Sequence, residues 1–295
     1  MKRSTDGEAA NRAEVGRHTF AAIIPVHNRQ DLATEAVRSV LRQTRPAEEI
    51  IVVDDGSEPP YRLAGELQDQ EGVRIVRVDR NGGAARARNL GVAHATSTHV
   101  AFLDSDDLWA PTHLAAITRA LRALPGAPAG YSLCRGRFPW PLGMLKLRRI
   151  HAHRLGWNPP TWKTSGTVVE RATFLSIGGF EETLRFREDT DLFLRLRESG
   201  SVARTNRVTV VFRRQRYGLS GEGDRDLARQ RTDYLRVLDR QMERAWATDR
   251  MTRADEVRMR REFHRYWAAR WFAVGAFRCA ATEAAMARAA STHQA

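Results

Sequence analysis

An α/β fold built around a mostly parallel sheet is predicted by two observations. Short apolar, β-rich runs alternate with segments of helical periodicity from Phe20 onward, as in βαβ units. Three of those runs end in polar clusters: His27-Asn28-Arg29, Asp54-Asp55-Gly56-Ser57 and Asp104-Ser105-Asp106-Asp107. Open parallel sheets bind ligands beyond the carboxyl ends of their strands, so the clusters are expected along one edge.

The elements follow in order. Phe20 to Val26 is the first strand, closed by Pro25 and the polar turn. Asp31 is placed to cap a helix whose apolar positions Leu32, Ala36, Val37, Val40 and Leu41 have helical spacing. Glu49 to Val53 is the second strand, and Tyr61 to Gln68 suits a helix. Val73 to Val78 is the third strand, followed by Arg80-Asn81-Gly82-Gly83 and a helix from Ala84 to Ala95. Thr98 to Leu103 is the fourth strand, and Pro111 suits the first turn of a helix reaching about Leu124. Pro125 to Gly130 is a turn-rich break, and Phe138 to Pro160 reads as a long loop. Pattern resumes at Gly166 to Val169 and Arg171 to Ile177, stopped by Gly178-Gly179. A helix from Glu188 to Glu198 and a strand from Arg207 to Phe212 follow. Beyond Gly223 the chain is helical and charged.

With 295 residues, 42% of them hydrophobic, the chain can bury a sizeable core. No run of eighteen uncharged apolar residues suggests a membrane-spanning helix. Residues 1–18 read as a disordered leader without the apolar stretch of a signal peptide. Cys134 and Cys279 are the only cysteines, which fits a reducing cytoplasm rather than a disulfide framework. The net charge is +13, and Lys2, Lys146 and Lys163 are the only lysines. No acidic residue lies between Asp107 and Glu170, while Arg119, Arg122, Arg135, Arg137, Arg148, Arg149 and Arg154 do. Such a segment favours anions: nucleotide phosphates, an anionic membrane or nucleic acid.

Each cluster carries a functional and a structural reading. Carboxylates crowded at Asp104 to Asp107 repel one another unless a cation joins them, and a divalent metal carrying a phosphorylated substrate fits. Asp107 also reads as a helix cap. Asp54-Asp55 suits hydrogen bonds from a nucleobase or a ribose, or a tight turn. Gly82 to Asn89 lacks dinucleotide-loop spacing, yet its arginines are placed to reach a diphosphate. Glu188-Asp189 is either a favourable carboxylate pair at a helix start or a general base.

From about Phe20 to Ser220 the chain resembles family 2 glycosyltransferases. The resemblance rests on Ile23-Ile24-Pro25-Val26-His27-Asn28-Arg29, Asp54-Asp55-Gly56-Ser57, Asn81-Gly82-Gly83, Ala87-Arg88-Asn89-Leu90-Gly91, Asp104-Ser105-Asp106, Gly178-Gly179-Phe180 and Glu188-Asp189, in the family's order. It implies a GT-A fold over residues 19–221 and leaves 222–295 as a helical extension for acceptor, membrane or oligomer contacts. It further implies inverting, non-processive transfer of one sugar from a nucleotide-diphosphate sugar, with UDP as the commonest nucleotide, to a glycan or lipid-linked acceptor. Pro25, His27, Arg29, Asp54, Asp55, Arg88, Asp104 and Ser105 would line the nucleotide sugar. Asp106 and Asp104 would hold Mn²⁺ or Mg²⁺, and Asp189, with Glu188 as alternate, would be the base. Two departures stand out: His27 replaces the family's more frequent Tyr, and Gln215 stands where a His is common.

Two other readings use the same residues. One is a non-catalytic nucleotide-sugar-binding protein, against which the full set of expected carboxylates argues. The other is nucleic-acid binding through the basic segment and Trp140, Trp157 and Trp162, against which the absence of a recognised module argues. Phe263, Tyr266, Trp267, Trp271, Phe272, Val274 and Phe277, bordered by arginines, read either as a packed or dimer-forming helix or as an interfacial one. The expectation drawn is a cytoplasmic protein held peripherally at the inner membrane face.

Overall fold

The computed structural model describes residues 18–68, 70–135, 163–213 and 226–292. The expected leader over 1–17, most of the basic loop and Gln215 lie outside the described residues. The strands are β1 (Phe20–Val26), β2 (Glu49–Asp55), β3 (Val73–Val78), β4 (His99–Phe102), β5 (Asp107–Trp109), β6 (Ala129–Arg135), β7 (Thr167–Glu170) and β8 (Ala203–Phe212). The α-helices are α1 (Gln30–Leu41), α2 (Ala84–Ala93), α3 (His113–Ala123), α4 (Arg171–Ser176), α5 (Glu188–Ser199), α6 (Leu227–Ala247), α7 (Arg253–Ala273) and α8 (Phe277–Thr292).

The strands form one eight-stranded sheet in the order β3-β2-β1-β4-β7-β6-β8-β5. The first four are parallel, with β1 between β2 and β4. β7 then enters antiparallel to β4 and β6 antiparallel to β7, and β8 runs parallel to β6 with β5 antiparallel at the edge. The sheet is therefore more mixed than expected, because the second half of the chain adds strands in both directions. Strand order reverses at β1, the place where open α/β sheets bind ligands at the carboxyl ends of their strands.

The apolar run of β1 is explained by burial on both faces. Phe20, Ala22, Ile24 and Val26 pack on one face with Ala33 and Val37 of α1 and Leu114 and Ile117 of α3. Ala21 and Ile23 pack on the other with Ala87 and Val92 of α2, Phe174 of α4 and Leu192 of α5. Gly91 lets α2 lie close to the sheet, since a Cβ there would sit 2.4 Å from the Ile23 methyl.

Several sequence expectations are corrected. Residues 61–68 hold only a short 3₁₀ turn, Gly65–Leu67, because the Tyr61 N–H bonds to Asp54 and Tyr61 is buried in the core. Asp31 lies inside the first turn of α1, and Arg29 occupies the cap position without a side-chain cap bond. Helix α3 starts at His113, so Pro111 precedes it. Asp107 caps no helix: it closes a turn through its N–H to the Asp104 carbonyl (3.0 Å) and opens β5 opposite Phe212. β5 and β6 carry no sequence pattern that announced them.

The chain divides into two compact units. Among the described residues, the second comprises 185–187 and 226–292. Its core is Leu227, Tyr234, Leu238 and Met242 of α6, Met251, and Met259, Phe263 and Trp267 of α7. Phe263 and Trp267 are fully buried, which removes them from any interfacial face. Among the described residues no helix is long and apolar enough to cross a membrane.

Candidate active site

The three polar clusters do meet at the carboxyl ends of β1, β2 and β4. Pro25 is buried within β1 opposite Val53. Its missing N–H leaves no ladder bond unmade on the β4 side, where pairing with β1 has ended at Ile23. Beyond it, Asn28 takes a left-handed conformation (φ 52°), which Asn tolerates. The Asn28 N–H donates to Ser57 Oγ (3.0 Å), and its side-chain carbonyl accepts from the Glu58 N–H (2.8 Å). His27 Nδ1 donates to the Asp55 carbonyl at 2.8 Å. The turns after β1 and β2 are thus laced together.

Asp54 and Asp55 diverge in their employment. Asp54 is fully buried and accepts the N–H groups of Ser57 (3.0 Å) and Tyr61 (2.9 Å) and the guanidinium of Arg77. Burial pushes its pKa up, but these hydrogen bonds outweigh burial and leave it below the usual value. Asp55 accepts the N–H groups of Gly82 and Gly83, each at 2.8 Å, and so fixes the approach to α2. Gly56 is required in the turn that follows them: its φ is +69°, and a Cβ would lie 2.7 Å from the Asn81 nitrogen.

After β4, two arginines reach the acidic cluster. Arg29 Nη1 lies 2.6 Å from Asp106 Oδ2, and Arg88 Nη2 lies 2.6 Å from Asp104 Oδ1. Burial first and the Asp104 charge second push Asp106 above the ordinary carboxylate range, against the pull of Arg29. Asp107, buried and bonded to the Ser165 hydroxyl (2.5 Å), is pushed up to about 8, by burial first and by Asp104 second. Ser105 is buried, with its carbonyl 3.2 Å from Arg213 Nη2.

Arg88 is the hinge of the site. It is 4% exposed. Besides Asp104 it donates to Glu188 Oε1 (3.2 Å) at the start of α5, and its guanidinium lies 5.1 Å from the Phe180 ring. The neighbouring Asn89 clamps the Gly178-Gly179-Phe180 turn: it accepts the Phe180 N–H and donates to the Phe180 carbonyl, each at 2.8 Å. These contacts bring α5 beside the end of β4. Glu188 is pushed up to about 7, by burial first and the Asp189 charge second, with Arg88 opposing. Asp189 Oδ1 accepts the Thr190 N–H (2.6 Å) and hydroxyl (3.2 Å).

Sequence reasoning missed Arg213. From the end of β8 it donates to the carbonyls of Asp106 (2.8 Å), Leu32 (3.0 Å) and Ser105, and it pairs with Glu35. It holds the acidic loop by its backbone. Ser165 was missed too: its hydroxyl donates to Asp107 and accepts the Asp104 N–H at 3.1 Å. A lone serine after a basic segment carries no sequence signal. Arg213 heads the run Arg213-Arg214-Gln215, which stands where the family has Arg-x-His, but no role for it was drawn from that.

Asp104 and Asp106 offer hard oxygen donors, which suit Mn²⁺ or Mg²⁺. Among the described residues no group of three or more His, Cys, Asp and Glu is arranged around a metal position.

The Glycosyl transferase family 2 model matches residues 21–170, which contain β1 to β7 and the acidic loop. The chain belongs to glycosyl transferase family 2. Within the family, it is 43% identical over 90 residues to an uncharacterized glycosyltransferase of Rickettsia felis, a match covering 30% of this chain and 15% of that protein. It is 41% identical over 91 residues to the putative teichuronic acid biosynthesis glycosyltransferase TuaG of Bacillus subtilis, covering 30% of this chain and 36% of TuaG. The chain thus spans well under half the length of these relatives. Among solved structures, S. aureus TarS 1–349 in complex with UDP-GlcNAc superimposes with a TM-score of 0.58 and 16% identity, covering 92% of this chain and 90% of that one. That likeness shows the fold, and the fold is the GT-A fold expected from the motifs.

Proposed function

We propose that the protein is an inverting, non-processive glycosyltransferase that moves one sugar from a nucleotide-diphosphate sugar to a hydroxyl of a glycan or lipid-linked acceptor. The observation that carries this reading is the buried Arg88, bonded at once to Asp104 and to Glu188. One guanidinium joins the acidic loop after β4 to the carboxylates that open α5. A UDP-sugar is the donor favoured by the likeness to TarS, whose complex holds UDP-GlcNAc. The TuaG relative supports a place in polysaccharide biosynthesis.

In this reading His27, Arg29, Asp55 and Arg88 line the nucleotide and its diphosphate. Asp54 supports them by holding its turn, and Pro25 and Ser105 support them as buried backbone. Asp106 and Asp104 would hold Mn²⁺ or Mg²⁺, which would supply Lewis-acid neutralisation of the departing diphosphate. Asp189 accepts the acceptor hydroxyl's proton as that oxygen bonds to the anomeric carbon. The bond from the anomeric carbon to the diphosphate oxygen breaks on the opposite face, and the nucleoside diphosphate leaves with the electron pair. A single displacement of this kind inverts the anomeric centre. Glu188, already bonded to Arg88, keeps that guanidinium in place and is the alternate base. The protein is further proposed to work in the cytoplasm, peripherally on the inner face of the membrane.

The test is Asp189→Asn. Transfer should be abolished while UDP-sugar binding, measured by calorimetry with Mn²⁺, stays within about threefold of wild type. Equal loss of binding would move Asp189 into the nucleotide site and overturn its role as base.

A further inference from the structure

We infer that the turn between α7 and α8 is a membrane-insertion apex that seats the protein on an anionic bilayer; this rests on the peripheral placement proposed above and names the surface that achieves it. Burial divides the aromatic segment sharply. Phe263 and Trp267 are wholly inside the helical unit's core, and Tyr266 and Trp271 pack against it. Phe272 (65% exposed), Val274 (54%) and Phe277 (61%) are left outside. The two phenylalanine rings pack edge to face at 5.4 Å, so they form one apolar knob rather than two scattered residues. Residues 272–277 carry no charged or hydrogen-bonding side chain.

The backbone N–H groups of Gly275, Ala276 and Phe277 at the apex are paired within it. Helix α7 ends in a Schellman arrangement: the Gly275 N–H bonds to the Phe272 carbonyl (3.0 Å) and the Ala276 N–H to the Trp271 carbonyl (2.9 Å). Gly275 supplies the required positive φ of 76°. The Phe277 N–H bonds to the Gly275 carbonyl at 3.0 Å. Entering a bilayer is costly mainly for unpaired backbone groups, and these donors are already paired within the turn.

Charge selects the occupant. Arg270 and Arg278 bracket the apex, and no acidic residue occurs between Glu262 and Glu283. Arg270 lies over the Trp267 ring (5.6 Å) and donates to the Tyr266 hydroxyl, so its charge is held at the base of the knob. Arginines beside an apolar tip suit lipid phosphates, with their stems in the acyl boundary. A second copy docking through the same tip would bring those arginines against each other, and the chain's net charge of +13 adds to that repulsion.

The test compares wild type, the double variant Phe272→Ser/Phe277→Ser, and Arg278→Glu in co-sedimentation. The vesicles are phosphatidylcholine alone or an equimolar mixture with phosphatidylglycerol. Wild type should partition onto the anionic vesicles at least about tenfold more than onto the neutral ones. The double variant should lose about tenfold of that partition, and Arg278→Glu a severalfold part of it. All three should keep the same helical circular dichroism, and UDP release from UDP-GlcNAc measured without vesicles should be unchanged. Equal pelleting of the double variant and wild type overturns the inference. So does a fall in oligomeric state of the double variant by analytical ultracentrifugation, which would make the tip a contact between copies. If wild type releases no nucleotide yet binds the vesicles as described, the transferase reading fails and the apex stands.

Discussion

Replacing Arg88 by Met keeps the aliphatic stem against Phe180 and deletes the charge that joins Asp104 to Glu188. Breaking a buried ion pair by removing one partner costs roughly 3–5 kcal/mol. The Asp104 and Glu188 side chains retain 31% and 16% exposure. Water therefore resolvates part of both carboxylates, and the expected loss is about 2–3 kcal/mol near neutral pH. That loss has a pH signature. Glu188 is already pushed up to about 7 from an ordinary 4.5, by burial first, with Arg88 holding it down. Without Arg88 its folded-state pKa rises further. A carboxyl raised in the folded state binds a proton that the unfolded chain releases, so stability falls as pH rises from the unfolded value through the folded one. The window is wider in the variant than in wild type. Urea denaturation should give a larger stability gap between the two proteins at about pH 8 than at about pH 5, where Glu188 is protonated in both. A gap that is the same at both pH values, or that stays under about 0.5 kcal/mol, would refute the reasoning, because it would mean that Arg88 does not carry the Glu188 charge.

Three further outcomes are expected. Arg213→Met removes the donors that hold the carbonyls of Ser105 and Asp106; nucleotide affinity in the presence of Mn²⁺ should fall about tenfold by calorimetry, with a loss of roughly 1–3 kcal/mol in urea. Gly91→Ala, which on an exposed helix would stabilise by about 1 kcal/mol, should instead cost roughly 1–3 kcal/mol, since its Cβ would lie 2.4 Å from Ile23 Cγ2 in the core. His113 is fully buried, and burial lowers its pKa from 6.5 to about 3. The unfolded chain binds that proton first, so this contribution to stability is complete above pH 6.5 and is lost toward pH 3. A His113→Gln variant should show a shallower acid loss than wild type across that window in thermal melts, by up to about 1.4 kcal/mol per pH step of one.

The parallel half of the fold was legible because strands buried on both faces are written as unbroken apolar runs. β1 matches its expected limits residue for residue; β3 does so too, although it is an edge strand broken by Arg74 and Arg77 and half exposed. Strands β5 and β6 were not. β5 is three residues long, and β6 begins inside the stretch from Pro125 to Gly130 that reads as a break. The same holds within the acidic loop. Asp107 looked like a cap because Ser and Asp precede helices, but pairing with Phe212, far along the chain, makes it a strand residue.

By itself the sequence determined the family, the edge of the sheet where polar residues collect and the set of carboxylates available there, because strand ends and short motifs are local properties. Only the tertiary structure decided how each carboxylate is employed. Asp54 is consumed by its own turn, Asp55 anchors the glycines before α2, and Asp107 is sealed against Ser165. Arg213 comes from the other end of the domain to hold the acidic loop, and Arg88 spans Asp104 and Glu188. Those assignments depend on burial and on partners far along the chain, 100 residues away for Glu188 from Arg88 and 181 for Leu32 from Arg213. No spacing in the chain encodes which charge will lose its water and which will keep it.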